Sequence, residues 1–232
     1  MQKCTLCEGS YLKEIVLERD PRRYFLCKEC FLIFAHSDFH LNKEEEKSRY
    51  SNHQNRIDQA GYVKFLNRAI FPSLDFISSG MIGLDYGCGP SPTLSKLLLK
   101  EGIECFDYDP IFGFDHPLDD YDFIFATECF EHFFLPKEDL QKINSLLKPH
   151  GFLSIMTERW VTEEGFKDWY YKNDPTHVSF FHENTFHYIS KELNFDIVYQ
   201  DENRVVILKR NNINQEGHMN GHFRFSDKSS NI

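Results

Sequence analysis

The sequence predicts an α/β fold, a parallel sheet covered by helices, with a small metal-stabilised lobe at its amino end. Runs of apolar residues typical of strands alternate with runs of helical spacing. The strands are expected at 81–85, 103–108, 122–127 and 152–157, and the helices at 93–100 and 137–147. With 232 residues, 41% of them apolar and 16% aromatic, the chain can bury one domain core and a small appendage, and wholesale disorder is excluded.

The net charge of the chain limits the kinds of molecule that it is expected to bind. Acidic residues number 36 against 26 Lys plus Arg, a formal charge of -10, so nothing in the total favours binding to nucleic acid or to an anionic membrane. The opening MQKCTLCEGS lacks the apolar core of a signal peptide, and no run of about 18 apolar residues predicts a membrane span. We therefore expect a cytoplasmic protein. Its 7 cysteines then indicate metal ligands and buried thiols instead of a disulfide framework.

Four of the cysteines form two CxxC pairs near the amino end. The pairs are Cys4 with Cys7 and Cys27 with Cys30. Two such turns supply four thiolates for one tetrahedral zinc ion, and the segment between them, with short strands expected at 15–17 and 24–26, is too small to hold a core without metal. This favours a structural zinc ribbon over residues 1–38. A redox CxxC pair is the alternative, whereas catalytic zinc would need an open position that four thiolates do not leave.

Residues 39–80 are predicted to form a helical bridge between the ribbon and the main sheet. Segment 41–51 is charged and helix-prone, with the acidic run 44–46 as a solvated face, and segment 61–71 has apolar residues at helical spacing. A helix placed ahead of the sheet can lean over its ligand edge. Two residues of the bridge are candidates for ligand contact there, with ordinary surface positions as the alternative: Tyr50 and His53.

A glycine turn follows the first strand of the main sheet. The strand ends at Asp85, after which Gly87 and Gly89 allow the backbone to bend sharply and to approach a ligand closely. The helix that follows offers unpaired backbone N–H groups at its start. Asp109 ends the second strand about 20 residues later, where a carboxylate can accept the ribose hydroxyls of a nucleoside. Many nucleotide-binding folds share such a turn, so it predicts a nucleoside site without defining the chemistry.

Three later segments add to this pattern in order. They are a strand followed by an acid–His pair at 121–133, a turn and strand at 146–157, and the element DPTHVSFF at 174–181. Together with the cysteines and the glycine turn, they resemble a class I S-adenosylmethionine-dependent methyltransferase of the type 11/23 kind, which has a Rossmann-like doubly wound sheet. Ser91 stands where that family often has a third glycine. The likeness runs from about Cys4 to Arg210.

The resemblance implies methyl transfer from S-adenosylmethionine to a small-molecule acceptor, at oxygen, nitrogen or carbon, in a domain spanning 81–210. The cofactor would lie beyond the carboxyl ends of the strands. The candidate cofactor residues are Asp85, Gly87, Cys88, Gly89, Asp109, Pro110, Thr127 and Glu128, with Tyr50 and His53 from the bridge. For Cys88, a buried small apolar residue is the alternative interpretation.

Three residues are candidates for catalysis. Because a sulfonium is a good leaving centre, positioning carries much of methyl transfer, but an acceptor with a proton to lose also needs a base. The candidates are His177, His132 and Glu131. A structural, hydrogen-bonded histidine is the alternative for His177. For the Glu131–His132 pair, the alternative is the first turn of the following helix, where an acid suits the helix dipole.

Two other functions stay open. Ser91 and the short segment 110–120, which has no room for a full strand and helix, also fit a non-catalytic binding module built on a decayed methyltransferase core. A few basic residues on the ribbon fit an RNA or protein methyltransferase, against which the acidic total argues. Residues 211–232 are polar and are predicted to be a flexible tail.

Overall fold

The computed structural model describes residues 2–18, 20–51 and 57–212. The strands are β1 Leu12–Ile15, β2 Tyr24–Cys27, β3 Ile33–Ala35, β4 Ile82–Tyr86, β5 Glu104–Tyr108, β6 Tyr121–Thr127, β7 Leu147–Met156, β8 Ser179–Phe180, β9 Phe195–Gln200 and β10 Val205–Arg210. The helices are α1 Lys43–Ser51, α2 Ala60–Ser73, α3 Leu94–Lys100, α4 Pro136–Leu146, α5 Glu163–Asp168 and α6 Glu183–Glu192. His53 and nearly all of the predicted tail lie outside the described residues.

The main sheet has the order β5-β4-β6-β7-β10-β9. Strands β5, β4, β6 and β7 are parallel, and β10 runs antiparallel to both β7 and β9. Helices cover both faces because successive side chains of a strand alternate between them. On β6, for example, Phe123 and Phe125 pack with α2 and α3, whereas Ile124 and Ala126 pack with α4 and α6. This confirms the predicted doubly wound α/β fold.

The unit between β5 and β6 is truncated, as its length predicted. Residues 110–120 form turns and a single antiparallel bridge between Asp109 and Phe114, and they contain neither a helix nor a named strand. Consequently β5 is an edge strand of the sheet. The loop that replaces the missing unit follows the carboxyl end of β5, and its residues 110–112 line the cavity at that edge of the sheet.

The amino-terminal lobe is a four-stranded sheet in the order β1-β2-β3-β8. Its first strand ends at Ile15, earlier than the predicted 15–17, and Val16 is exposed. The fourth strand comes from far along the chain, since Ile33 pairs with Phe180. The sheet of the lobe therefore extends beyond residues 1–38 and joins the cysteine lobe to the segment that carries His177.

None of the described helices is both long enough and apolar enough to cross a lipid bilayer.

Candidate active site

A cavity of about 650 Å³ opens at the carboxyl ends of β4, β5 and β6. Its size is within the range of roughly 300–1,000 Å³ that is usual for small-molecule sites. Helix α1 covers one side with Lys43, Glu46 and Tyr50, and α2 contributes Tyr62 and Phe65. The bridge between the lobes thus lies over the ligand edge of the sheet.

The prediction that Glu46 lies in solvent is wrong. The acidic run 44–46 was predicted to be a solvated helix face, but only 7% of Glu46 is exposed. Because α1 leans over the cavity, burial raises the pKa of Glu46, and Tyr50 donates a hydrogen bond to its carboxylate at 3.2 Å. Helix α1 therefore presents one acidic position to the cavity and leaves the neighbouring two in solvent.

The glycine turn after β4 shapes the floor of the cavity. Gly87 and Gly89 have φ values of 85° and 70°, in the left-handed region that favours glycine. A Cβ on Gly87 would lie 2.8 Å from the Cβ of Cys129, whereas a Cβ on Gly89 would meet no atom within 4 Å. Since Gly89 lines the cavity, that open space belongs to the ligand side. The turn therefore exposes bare backbone to whatever occupies the cavity.

Asp109 ties this turn to the end of β5. Its Oδ2 accepts a hydrogen bond from the backbone N–H of Gly89 at 3.0 Å, and its Oδ1 accepts from Ile111 and Phe112 at 2.9 and 3.2 Å. An ionised carboxylate has about four acceptor positions, so these three bonds leave about one for a ligand hydroxyl. That remaining position is on Oδ2, on the side of the glycine turn.

Asp85, at the end of β4, is a buried acid on the cavity wall. Only 2% of it is exposed, and its Oδ1 has no hydrogen-bond partner among the described residues. Burial, together with the neighbouring Asp107 and Asp109, raises the pKa of Asp85 well above its ordinary value. Buried polar atoms are normally paired, so an orphaned oxygen beside a cavity fits a site that receives a hydrogen-bond donor.

The structure brings the three predicted catalytic residues together at one end of the cavity. Glu131 is fully buried, and its carboxylate accepts hydrogen bonds from the Tyr171 hydroxyl at 2.6 Å and from the Thr157 hydroxyl at 2.8 Å. The rings of His132 and His177 lie 4.9 Å apart between centroids. The Glu131–His132 pair lies in a short 3₁₀ turn after β6, not in the first turn of α4.

Hydrogen bonds to backbone carbonyls define the tautomer of both histidines. Nδ1 of His132 lies 3.0 Å from the Thr176 carbonyl oxygen, and Nδ1 of His177 lies 2.7 Å from that of Tyr171. A carbonyl oxygen only accepts, so each Nδ1 carries a hydrogen. Burial lowers the pKa of His132, so this ring is neutral near neutral pH.

Glu128 completes the acidic side of the cavity. It has a φ of 49°, a conformation that is unusual outside glycine and frequent at functional sites. Burial first, and then the neighbouring Glu131, raise the pKa of Glu128 to about 8. Arg204 opposes this shift from 3.0 Å, but its guanidinium is shared with Glu158. The carboxylates therefore outnumber the cations here.

A family model described as a methyltransferase domain matches residues 56–200, which is more than half of the chain. The chain belongs to this methyltransferase family. The match confirms the predicted class I S-adenosylmethionine-dependent methyltransferase, and with it the prediction that the protein is an enzyme. No curated protein matches the sequence of this methyltransferase.

Solved structures share the fold of the methyltransferase at low sequence identity. The 1,6-didemethyltoxoflavin-N1-methyltransferase of Burkholderia thailandensis, with bound 1,6-didemethyltoxoflavin and S-adenosylhomocysteine, is 12% identical with a TM-score of 0.55, over 86% of this chain and 100% of its own. The N-methyltransferase NodS of Bradyrhizobium japonicum, in complex with S-adenosylhomocysteine, is 13% identical with a TM-score of 0.51, over 73% and 99%. A chain from the complex of the Haloferax volcanii Trm112 methyltransferase activator with a methyltransferase is 12% identical with a TM-score of 0.51, over 72% and 98%.

The cavity of the methyltransferase gathers the described candidate residues from five segments of the chain. Those that line it are Tyr50, Asp85, Gly87, Cys88, Gly89, Asp109, Pro110, Thr127, Glu128, Glu131, His132 and His177. His53 lies outside the described residues. Two contacts of the site were not predicted from the sequence: the hydrogen bond from Tyr171 to Glu131 and the pairing of Arg204 with Glu128. The only local signal at Tyr171 is an aromatic pair, and the only local signal at Arg204 is the start of a strand.

The pKa of Asp85 leads to a stability prediction. Its carboxyl titrates near 3.8 when unfolded and well above that when folded, so the folded state is penalised as pH rises from about 4 through the raised pKa. Asp85→Asn removes this titration. As pH rises, the free energy of unfolding of the variant should therefore increase relative to that of wild type. The increase is about 1.4 kcal/mol for each pH unit above about 4 over which the carboxyl of the folded wild type stays protonated.

Urea unfolding of the ligand-free protein at about pH 5 and about pH 8 measures this difference. Asp75→Asn is the matched control, because Asp75 is exposed on the surface. If the free energy of unfolding depends on pH in the same way in both variants and in wild type, the pKa of Asp85 is not raised in the folded protein.

Proposed function

We propose that this enzyme transfers the methyl group of S-adenosylmethionine to a small molecule bound in the cavity. The observation that carries the proposal is the juxtaposition of the open backbone at Gly89 with the Asp109 carboxylate 3.0 Å away, beside a cavity of about 650 Å³. That volume admits a nucleoside and a small acceptor together. The Burkholderia relative holds such a pair, S-adenosylhomocysteine with a small molecule.

The residues of the glycine turn fit the cofactor. Gly87 and Gly89 would let its backbone approach the nucleoside, and the open acceptor position of Asp109 would take one ribose hydroxyl. The unpaired Oδ1 of Asp85 would receive a donor such as the ammonium of the methionine moiety. The bound cofactor would supply a methyl group on a sulfonium, whose positive charge suits a cavity with six acidic side chains and one lysine among its described lining residues.

The charge of the cavity restricts the acceptor. Its described lining includes six carboxylates but, apart from the two histidines, only one cationic side chain, Lys43. The carboxylates are Glu46, Asp85, Asp109, Glu128, Glu131 and Asp139. Raised pKa values keep Asp85 and Glu128 largely protonated near neutral pH, but an anionic acceptor would still find a single lysine as its partner among the described lining residues, so a phosphate- or carboxylate-rich acceptor is disfavoured. We expect a neutral or cationic acceptor with a flat or apolar part that packs against the aromatic wall.

The histidine pair would handle the proton of the acceptor. Each Nδ1 donates to a carbonyl, so Nε2 is the basic atom of each ring. His177 packs against Tyr171 with 4.3 Å between ring centroids, which orients its ring. Glu131 supports the pair through the hydroxyl network of Tyr171 and Thr157. In this arrangement the histidines accept a proton, and the carboxylate adds a negative charge beside them.

The amino-terminal cysteines would hold a structural zinc ion. The Sγ atoms of Cys4 and Cys30 lie 3.5 Å apart, those of Cys7 and Cys27 lie 3.4 Å apart, and all four lie within 4.8 Å of one another. A tetrahedral site with Zn–S bonds of about 2.3 Å places its sulfurs about 3.8 Å apart. Four thiolates leave no position for water, so the ion would stabilise the lobe and take no part in the chemistry.

Cofactor binding and turnover test the proposal separately. Calorimetric titration of the full chain with S-adenosylmethionine and with S-adenosylhomocysteine should show saturable binding of both. Methyl-labelled cofactor, incubated with enzyme and a cell extract, should label the small-molecule fraction. The absence of binding heat with both ligands would overturn the proposal. Binding without labelling would favour the non-catalytic module, and label confined to RNA or protein would favour the ribbon-guided alternative.

A further inference from the structure

We propose that Glu131, His132 and His177 bind a divalent transition-metal ion at the acceptor end of the cavity, distinct from the cysteine site. One ring nitrogen of each histidine and one carboxylate oxygen of Glu131 lie within 4.8 Å of one another. Two histidines and one carboxylate are a ligand set typical of catalytic zinc and of non-haem iron. The binding of the ion is independent of the proposed function, whereas its role toward the acceptor rests on it.

The hydrogen bonds around the cluster orient it for coordination. Nδ1 of His132 and Nδ1 of His177 each donate to a backbone carbonyl, which leaves Nε2 as the nitrogen of each ring that would bind the ion. Histidines that bind metals nearly always donate their other ring nitrogen in this way, and ligating carboxylates are held by hydrogen bonds in turn. Thr157 and Tyr171 supply those bonds to Glu131. The supporting contacts of a metal site are therefore already formed.

The charges of the cluster also favour a cation. Glu131 is fully buried, and none of the ion pairs among the described residues includes it. The guanidinium of Arg204 pairs with Glu128 and Glu158 instead. The two hydroxyls that donate to Glu131 bring no positive charge, and buried charges are normally paired or coordinate metals. A divalent ion beside Glu131 would supply the missing positive charge.

Three protein ligands would leave positions on the ion for an oxygen of the acceptor. Because two of the three ligands are imidazoles, the site suits zinc, iron or nickel better than magnesium. A hydroxyl bound to such an ion loses its proton more readily, and that proton passes to solvent. The oxygen lone pair then forms the bond to the methyl carbon while the C–S bond breaks, with its electron pair going to sulfur. In this form of the site the histidines hold the ion and solvent takes the proton.

Cobalt absorption spectroscopy tests the site directly. Full-length protein without an affinity tag is first loaded with one equivalent of Zn²⁺ to fill the cysteine site, and Co²⁺ is then added. Wild type should bind one further ion, with visible d–d absorption and without the intense thiolate charge-transfer bands. The double variant His132→Gln/His177→Gln should lose this absorption while it keeps its zinc.

His187→Gln is the matched control, since this histidine is exposed on α6, and it should bind cobalt as wild type does. Binding of S-adenosylhomocysteine by both variants verifies that they are folded. Wild type that binds S-adenosylhomocysteine but no Co²⁺ overturns the metal site and leaves the proposed methyl transfer intact. Cobalt absorption that persists in the double variant overturns it as well. Wild type that binds Co²⁺ but no S-adenosylhomocysteine keeps the site and refutes the proposed function.

Discussion

Replacement of Gly89 by alanine is expected to weaken the binding of S-adenosylhomocysteine on the order of a hundredfold, or about 2.8 kcal/mol. The residue has a φ of 70°, and its missing Cβ would point into open space on the cavity side of the turn. An added methyl group would therefore occupy volume that the nucleoside needs, and would move the N–H that binds Asp109. Calorimetric titration of the variant measures the loss.

Gly102→Ala is the matched control for this prediction. Gly102 has a φ of 73°, has no atom within 4 Å of its Cβ position, and lies in the turn between α3 and β5. Both variants carry the same left-handed strain, about 1–2 kcal/mol, so they should lose similar stability. Only Gly89→Ala should lose affinity. Equal affinities in the two variants would show that the nucleoside does not approach the turn.

Removal of the proposed zinc ion is expected to unfold the amino-terminal lobe and to lower methyl transfer by at least about tenfold. Structural zinc contributes about 10–16 kcal/mol in isolated fingers, far more than a lobe of this size gains from its own core. Cys27 is fully buried beside Cys7, so Cys27→Ser would remove one ligand of the set. Zinc content, limited proteolysis and labelled-methyl turnover measure the three parts of the effect.

The loss of activity follows from how the lobe holds the segment that carries His177. Arg22 donates to the backbone carbonyls of Lys172 and Asp174, and Asp20 holds its guanidinium in place at 2.7 Å. Strand β3 also pairs with β8, just after His177. An unfolded lobe would release these contacts, and the histidine pair would lose its alignment. The lobe thus acts on the site through position.

Two variants separate the metal from the contacts. Cys105→Ala, on β5 and outside the ribbon, should keep one zinc ion and a protected lobe. Arg22→Met should keep the zinc ion as well but lose part of the activity, because it breaks the bonds to the segment before His177 and the ion pair with Asp20, neither of which involves a cysteine. If chelated protein with an unfolded lobe retains full turnover, the ribbon does not position the site.

Where the sequence analysis succeeded, the signal was local. The glycine turn was predicted because glycine readily adopts the left-handed backbone that Gly87 and Gly89 have in the structure. The short unit at 110–120 followed from its length alone. These features depend on backbone sterics and on the alternating pattern of a strand, and both can be read from a few consecutive residues. They account for the doubly wound sheet and for one half of the site, the half that we propose binds the cofactor.

The acceptor half of the site depends on contacts between distant segments. Tyr171 reaches Glu131 across 40 positions of sequence, and Arg204 reaches Glu128 across 76. Strand order and helix placement decide such contacts, since a side chain 76 positions away leaves no mark on the local pattern of charge or hydrophobicity. The burial of Glu46 also depends on tertiary structure, because α1 lies over the cavity with Glu46 on its inner side and with Glu44 and Glu45 in solvent.

The amino-acid sequence by itself determined the fold class, the glycine–aspartate turn and the grouping of the four cysteines, because each depends on residues that are close along the chain or on a repeating period. Only the tertiary structure decided that β8 completes the ribbon sheet, that Arg22 holds the segment before His177, and that Glu131, His132 and His177 converge on one small volume. Those arrangements arise when the strands order themselves to bury both faces of the sheet, and that ordering is a property of the whole packed core.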